Sequence, residues 1–427
     1  MTRAVVLSEH ETYDPEKCAA LQGGTLDGSN RSILRELSKG PKLEVSEGKT
    51  GLRIKTFSHV GRVALGNLSI TIQPKLAEEV FLQLLGYVYK LDALDFQGQA
   101  GFDASGAALQ ELFIAVLNTR VRELIRRGLA RRYRSRTEAL ASPRGKLDLR
   151  RWATSVEPLL GRAPCIHHVR SSDHLLNSVL LAGTELAMHM TESTARKAEL
   201  RDSSRRLAEE ASAVPLNAAL FRAARAQLNR LVIGYEQPLA LIETLYAGHG
   251  ASWLPDTHVE LSGFLFDMDR FFQELLEKFL SEHLAQEYSV TGEKHLRGLF
   301  RYSRNPKNKP HPVLKPDFTV RGGGHTRLLD AKYRDLWAKA LPREMLYQLS
   351  VYALSQGRGA TVAILYPTES PAAREAVLDI CDPLGGSVLG HVAVRPVHMS
   401  RLVKAITAPE RSVANSLARE LAFGADA

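Results

Sequence analysis

Apolar and polar positions alternate through 51–57, with Leu52, Ile54 and Thr56 on one face, which predicts a β-strand. Two β-branched runs follow, Val60 to Leu65 and Leu68 to Ile72, broken by Gly61 and by Gly66-Asn67. That last dipeptide predicts a hairpin turn, and Pro74 ends the second run. The period then lengthens: Val80, Leu84, Tyr87 and Val88 predict a helix over 78–90. Residues 1–98 therefore form a small β-rich domain capped by a helix. Gly98, Gly101 and Gly106 mark a joint after it.

Helical spacing dominates the middle of the chain. Leu109, Leu112, Phe113, Val116 and Leu117 make one stripe running to about Arg127, and Gly128 is a natural stop. Residues 131–136 alternate Arg with other types, as in a strand or an extended arm. Further helices are predicted over 173–190, 195–211, 217–231 and 235–246, so 99–255 is a mainly helical linking region. The pattern changes again near 261. A Phe/Leu-rich helix over 267–285 leads into strand-like runs at 300–304, 317–321, 326–333 and 361–366, with a helix over 342–356. Residues 301–312 form an exposed, mobile polar loop. The expected fold class is α+β multidomain, with 256–427 as a layered α/β domain.

Composition adds charge to this picture. The 427 residues are 44% apolar and 24% charged, enough for about two or three ordered domains. The net charge of +9 is uneven. Residues 119–151 hold twelve Lys/Arg against three acids, and 294–315 hold seven against none, so the remainder of the chain is mildly acidic. Two local basic patches predict a polyanionic partner met at defined surfaces. No apolar run approaches a membrane span, and the first residues lack a signal-peptide pattern. Cys18, Cys165 and Cys381 are far apart and form no CxxC, which predicts a reducing, cytoplasmic setting without zinc ribbon or disulfide framework.

The chemistry concentrates in Pro316-Asp317-Phe318-Thr319-Val320, the turn Gly322-Gly323-Gly324, and Leu329-Asp330-Ala331-Lys332. Two strands joined by a glycine turn pair as a hairpin. Alternation puts Asp330 and Lys332 on one face, and pairing places Asp317 beside them. Two carboxylates and an ammonium suit metal-assisted phosphodiester hydrolysis. The acids ligate Mg2+, or Mn2+ in its place, and the lysine orients water and offsets developing charge. Unpaired carboxylates in such apolar segments are costly without a purpose. Gln348 and Tyr352, four apart on a helix, share a face downstream.

Together these residues resemble the PD-(D/E)xK nuclease pattern, with the trailing Gln-x-x-x-Tyr of its RecB-like branch. The rest of the chain resembles the McrC family, in order. The carriers are Val60-Gly-Arg-Val-Ala-Leu-Gly-Asn-Leu-Ser-Ile-Thr-Ile-Gln-Pro-Lys75, Arg144-Gly-Lys-Leu-Asp148, Asp173 with Asn177, and Phe264 to Leu276. The resemblance implies the nuclease subunit of a McrBC-type modification-dependent restriction system. It implies Mg2+-dependent DNA cleavage gated by a hexameric AAA+ GTPase, McrB, whose GTPase it stimulates and on which the N-terminal domain docks. It also implies catalytic roles for Asp317, Asp330, Lys332, Gln348 and Tyr352, with Asp317 and Asp330 as metal ligands. One departure stands out. Gln273 occupies the helix position where related nucleases often place a Glu, so either the third ligand falls to Glu274, with Glu277 as the other candidate, or the third acid is absent.

Two rival functions share these features: a DNA-binding or GTPase-activating module with an inactive nuclease fold, and a stand-alone RecB-like repair nuclease. Gly48-Lys49-Thr50 resembles the end of a P-loop, but position 43 is Leu where that motif needs Gly, so a turn is expected instead. His167, His168 and His174 have no Cys pair or HExxH beside them and are expected to be structural or surface residues. The basic segment 119–151 is expected to contact DNA, with an acidic partner surface or plain solvation as the alternative, and 294–315 to contact DNA near Asp317.

Overall fold

A computed structural model describes residues 3–25, 42–65, 68–91, 106–249, 263–284, 288–292, 296, 299–322 and 325–424. Contacts divide the chain into two units, not three: 1–106 with 251–427, and 107–250. The segments expected as separate first and last domains thus fall within one unit.

The first unit opens with strands β1 (Arg3–Ser8), β2 (Thr12–Tyr13), β3 (Leu43–Glu47), β4 (Leu52–Thr56), β5 (His59–Leu65) and β6 (Leu68–Gln73). The alternation read through 51–57 is realised in β4: Leu52, Ile54 and Thr56 are buried, Arg53 and Lys55 exposed. Gly48-Lys49-Thr50 turns between β3 and β4, with the Gly48 amide donating to the Gly51 carbonyl at 2.8 Å. β5 and β6 pair as the expected hairpin; its Gly66-Asn67 turn lies outside the described residues. Gly61 does not break its run but sits inside β5. Its φ is +143°, and a Cβ there would stand 2.1 Å from the Phe264 carbonyl oxygen, so only glycine fits. Helix α1 (Glu78–Tyr89) follows, with Glu78 and Glu79 in its first turn favouring the helix dipole. Its buried face is Phe81, Leu84, Leu85 and Tyr89, so of the four residues predicted to form the stripe only Leu84 is fully buried.

The second unit begins on α2 (Gly106–Arg127), whose predicted stripe is fully buried. Gly98 and Gly101, of the expected joint, lie outside the described residues. Then come β7 (Arg132–Leu140), β8 (Lys146–Leu147), α3 (Leu149–Thr154), β9 (Ala163–Ser171), α4 (Leu175–Met190), α5 (Thr194–Ala208), α6 (Ala218–Arg225) and α7 (Glu236–His249). The middle is therefore not helical throughout, because β7, β9 and β8 form an antiparallel sheet. Arg144-Gly-Lys-Leu-Asp148 serves that sheet. Gly145 has φ +75°, Lys146 and Leu147 pair with β9, and Asp148 caps α3 by accepting the Arg151 amide. Asn177 is fully buried. It donates to the Ala130 and Ser172 carbonyls and accepts the Tyr235 hydroxyl. Asp173 accepts from Arg134 and from the Ser212 amide.

The chain then returns to the first unit. β10 (Gly263–Asp267) pairs antiparallel with β5, which gives a sheet of order β1-β6-β5-β10. Leu265 joins Val5, Leu7, Ile54, Val63 and Ile70 in the core beneath it. Helix α8 (Met268–His283) starts where β10 ends, capped by Asp267. Next come β11 (Ser289–Gly292), β12 (Phe318–Gly322), β13 (His325–Ala331), α9 (Arg343–Ser355), β14 (Ala360–Thr368), β15 (Ala376–Cys381), β16 (Val388–His398), α10 (Met399–Thr407) and α11 (Arg411–Phe423). The strand-like run 300–304 forms no strand; Leu296 and Leu314 make the only bridge in this stretch among the described residues.

These strands build a mixed sheet of order β11-β12-β13-β14-β16-β15. β13, β14 and β16 run parallel, with α9 as the crossover between the first two. β14 is buried almost throughout, as a central parallel strand must be. Val362, Ile364 and Tyr366 pack with Leu349, Tyr352 and Ala353 of α9 on one face. The architecture is mixed α/β and multidomain.

Candidate active site

The register of β12 and β13 brings the first two predicted residues together. Phe318 pairs with Leu329, so the chain just before β12 runs beside the end of β13. Asp317 Oδ2 accepts the Ala331 amide at 2.7 Å, and the Asp330 carboxylate accepts the backbone N–H of Asp317. Phe318, Thr319, Leu328 and Leu329 are buried, so the two acids emerge where an apolar strand pair ends. Burial pushes the Asp330 carboxyl up to about 7, the Asp317 charge adds to the rise, and Lys332 opposes it. A close pair of carboxylates in a poorly solvated place favours a cation between them.

Lys332 follows directly. Its backbone N–H donates to the Leu365 carbonyl of β14 at 2.9 Å, and its Nζ lies 3.3 Å from Asp269 Oδ1. Asp269 stands in the first turn of α8. Its carboxylate also accepts the Tyr333 amide at 3.1 Å and the Ser58 hydroxyl. The buried Tyr333 hydroxyl donates to Glu9 Oε1 at 2.9 Å. Glu9 is itself buried, and desolvation pushes its carboxyl up to about 7.

Gln348 and Tyr352 face the same region. Gln348 Nε2 donates to the Tyr352 hydroxyl at 2.8 Å. Burial pushes that hydroxyl up to about 12, and the charges of Asp330 and Asp317 push in the same direction. The backbone of Lys315 also hydrogen-bonds it, so α9 is joined to the segment that leads into Asp317.

The third acid is placed differently from expectation. Glu274 Oε1 accepts from Arg270 Nε at 2.9 Å, and its Oε2 is 3.5 Å from the Tyr89 hydroxyl of α1. Its oxygens are thus engaged with Arg270 and Tyr89. Glu277 lies against Gly292 of β11, where an added Cβ would meet its Oε1 at 2.3 Å. The acid from α8 that reaches the Lys332 segment is Asp269, which the sequence pattern did not single out. Its signal was present: an acid just inside a helix start, after the Asp267 cap. Among the described residues no three His, Cys, Asp or Glu side chains form a cation cage. Two carboxylates still fit Mg2+, which keeps waters and takes substrate oxygens for its other positions. His174 caps α4 by accepting the Leu176 amide, and its Nε2 is 2.9 Å from the Ala130 carbonyl, so it has a structural role.

Both basic segments are largely exposed, and of 294–315 Lys294 and Arg297 lie outside the described residues. The Leu296 amide donates to the Leu314 carbonyl at 2.8 Å and closes an arm. Within it Asn305 clasps Lys309 through two hydrogen bonds, and the Tyr302 amide donates to His311. Arg301, Arg304, Lys307, Lys309 and Lys315 are all exposed on this acid-free arm. In the second unit, several arginines of 119–151 are paired internally: Arg134 with Asp173, Arg144 with Glu138 and Arg151 with Glu157. Arg126, Arg131 and Arg136 are exposed.

A family model described as McrBC 5-methylcytosine restriction system component matches residues 54–367. Among solved structures, the chain resembles one in the refined half-complex from a tetradecameric assembly of Thermococcus gammatolerans McrB AAA+ hexamers with bound McrC. That likeness has 21% identity and a TM-score of 0.52, over 98% of this chain and 99% of the other. A chain of the cryo-EM structure of the Thermococcus gammatolerans McrBC complex is also similar, at 21% identity and a TM-score of 0.45, over 66% of this chain and 88% of that one. No curated protein matches. At this identity the first likeness speaks for the fold. No helix among the described residues is long and apolar enough to cross a membrane.

Proposed function

We propose, from the premise that this chain belongs to the McrBC 5-methylcytosine restriction system component family, that it is the McrC-like DNA endonuclease subunit of such a system. The observation that carries this reading is the Asp317–Asp330 pair with Lys332 beside it, where the β12–β13 strand pair ends. Asp317 and Asp330 would hold Mg2+, with Mn2+ as a substitute. The bound metal supplies a Lewis-acid charge that acidifies water and neutralises phosphate oxygens.

The remaining steps fall to side chains of this chain. Lys332 brings a fixed ammonium to the phosphate as negative charge develops. Gln348 and Tyr352 hold the approach to Asp317 through the Lys315 backbone. The arm carrying Arg301, Arg304, Lys307 and Lys309 grips backbone phosphates beside the cut, which gives affinity without sequence reading. Recognition of modified bases and GTP hydrolysis belong to a partner AAA+ GTPase of the McrB kind, whose activity this chain stimulates.

The test is cleavage of methylated duplex DNA by the full chain with its GTPase partner, GTP and Mg2+, comparing wild type with Asp330→Ala. Wild type cuts and the variant does not. Equal cutting by both retires the site assignment. Wild type that stimulates GTP hydrolysis and never cuts, under any metal, moves the chain to an inactive-nuclease activator.

A further inference from the structure

Lys332 is joined to a part of the chain outside the proposed nuclease motif. Its side chain is 37% exposed, so burial alone does not fix it. A lysine has four flexible carbons and carries about 2 kcal/mol of rotamer entropy, so holding its ammonium in one place needs a partner. Asp269 Oδ1, 3.3 Å from Nζ, is that partner.

Asp269 is built in rather than incidental. The start of α8 is fixed twice: Asp267 accepts the Arg270 amide at 3.1 Å, and the Met268 amide donates to the Ser58 carbonyl at 2.8 Å. Asp267 also ends the β10–β5 ladder, opposite His59. The Asp269 carboxylate is then aimed by two donors, the Ser58 hydroxyl and the Tyr333 amide. Tyr333 is held again at its far end by Glu9, which accepts the Lys75 amide at 2.8 Å. The residues just after Asp330 are therefore gripped by β10–α8, by the β4–β5 turn and by the end of β1. A carboxylate in a first helical turn is favourable for the dipole alone, but that purpose makes no demand on Lys332.

We propose that Asp269 is a positioning residue for Lys332: it fixes the ammonium beside the Asp317–Asp330 pair, and Ser58 orients Asp269 for that task. This rests on the nuclease reading above. It also makes the N-terminal sheet part of the cleavage machinery.

The experiment has two readouts on the full chain. In the first, without partner or metal, lysines are acylated with an N-hydroxysuccinimide ester and the rate at each site is read by mass spectrometry. Asp269→Asn modifies Lys332 several times faster than wild type and leaves Lys307 and Lys315 unchanged. Ser58→Ala, which removes only the hydroxyl that donates to Asp269, gives the same pattern at smaller amplitude. In the second, Mg2+-dependent cleavage with the GTPase partner falls by roughly 10- to 100-fold in Asp269→Asn, the cost of a displaced reacting group. Asp269→Glu recovers part of it, and adding Asp269→Asn to Lys332→Ala costs nothing more. An unchanged Lys332 acylation rate, or unchanged cleavage in Asp269→Asn, overturns the proposal. Faster Lys332 acylation in Asp269→Asn, together with a wild type that cuts under no metal, retires the nuclease reading while the tether itself stands.

Discussion

Asp317 Oδ2 accepts the backbone N–H of Ala331 at 2.7 Å, so one of the two proposed metal ligands also pins the end of β13. Charge and hydrogen bond can be separated at this residue. Asp317→Asn keeps an acceptor oxygen and loses the charge; Asp317→Ala loses both. Both variants are expected to lose cleavage by about a thousandfold, the scale of losing a metal's electrostatic contribution. Only the alanine variant should also lose stability, by about 1–3 kcal/mol, because the Ala331 amide is left unpaired. Cleavage rates and urea denaturation of the two proteins check this.

Stability should fall with rising pH through Glu9. Burial holds its carboxyl at about 7, above the ordinary value of 4.5. An acid with a raised folded pKa stabilises the fold below its unfolded value, and that contribution is lost as pH rises through the folded one. The window runs from 4.5 to about 7. Across it, wild type should lose up to about 3 kcal/mol relative to Glu9→Gln, whose side chain carries no ionisable proton. Parallel urea titrations from pH 4 to 8 measure the difference. A constant gap across that range would exclude Glu9 as its source.

Tyr352→Phe removes the hydroxyl that joins Gln348 to the Lys315 backbone. The Asp317 segment then loses an outer support without losing a ligand. Metal affinity, read as the Mg2+ concentration giving half-maximal cleavage, should weaken by about 10- to 100-fold. The maximal rate at saturating Mg2+ should change far less.

The exposed arm offers a salt test. Replacing Arg301, Arg304, Lys307 and Lys309 together by Ala should weaken DNA binding equally on methylated and unmethylated duplexes. It should also flatten the dependence of log affinity on log salt by about 0.9 for each phosphate the arm no longer neutralises. Filter binding at several salt concentrations reads both. An unchanged slope would remove the arm from the DNA path.

Gly61→Ala tests the sheet. The added methyl has the Phe264 carbonyl 2.1 Å away and φ +143° against it. It should cost more than about 3 kcal/mol, because strain and a broken β5–β10 ladder add together. Thermal denaturation measures it.

The pairing of Asp317 with Asp330 was legible because two strand patterns lie on either side of Gly322-Gly323-Gly324 in the sequence, where register follows from counting; Gly323 and Gly324 themselves lie outside the described residues. Gln348 and Tyr352 were legible for the same reason: one helical turn separates them. Asp269 was not, because it meets Lys332 only when the start of α8 is pinned to β5 and swung toward the end of β13. That contact depends on tertiary placement, which local periodicity does not encode. The same pinning sets the rotation of α8 and turns Glu274 toward Tyr89, while Arg270, one turn earlier on the same helix, reaches it as an i,i+4 pair. The predicted face of α1 failed through phase: its apolar residues admit two stripes, and the aromatic cluster of Phe81 with Phe266 and Phe271 selects one. β9 stayed hidden because Ala163, Pro164 and Cys165 are buried in succession, so alternation starts late. The run 300–304 alternates like a strand but has no paired neighbour among the described residues, and an unpaired pattern does not make a sheet.

The order of the strands has a consequence for how the protein is made. β5 leaves the ribosome early, yet Val63 must wait for Gly263 before its outer edge is covered. Until then the nascent chain presents an open strand edge beside a core that still lacks Leu265. All of 107–250, a compact unit with its own contacts, is synthesised during that wait. Asp269 follows β10 directly, so closing the sheet and delivering the Lys332 partner are one late event. A truncated or stalled product would carry neither, and premature release would yield a chain with an exposed edge and no assembled candidate site.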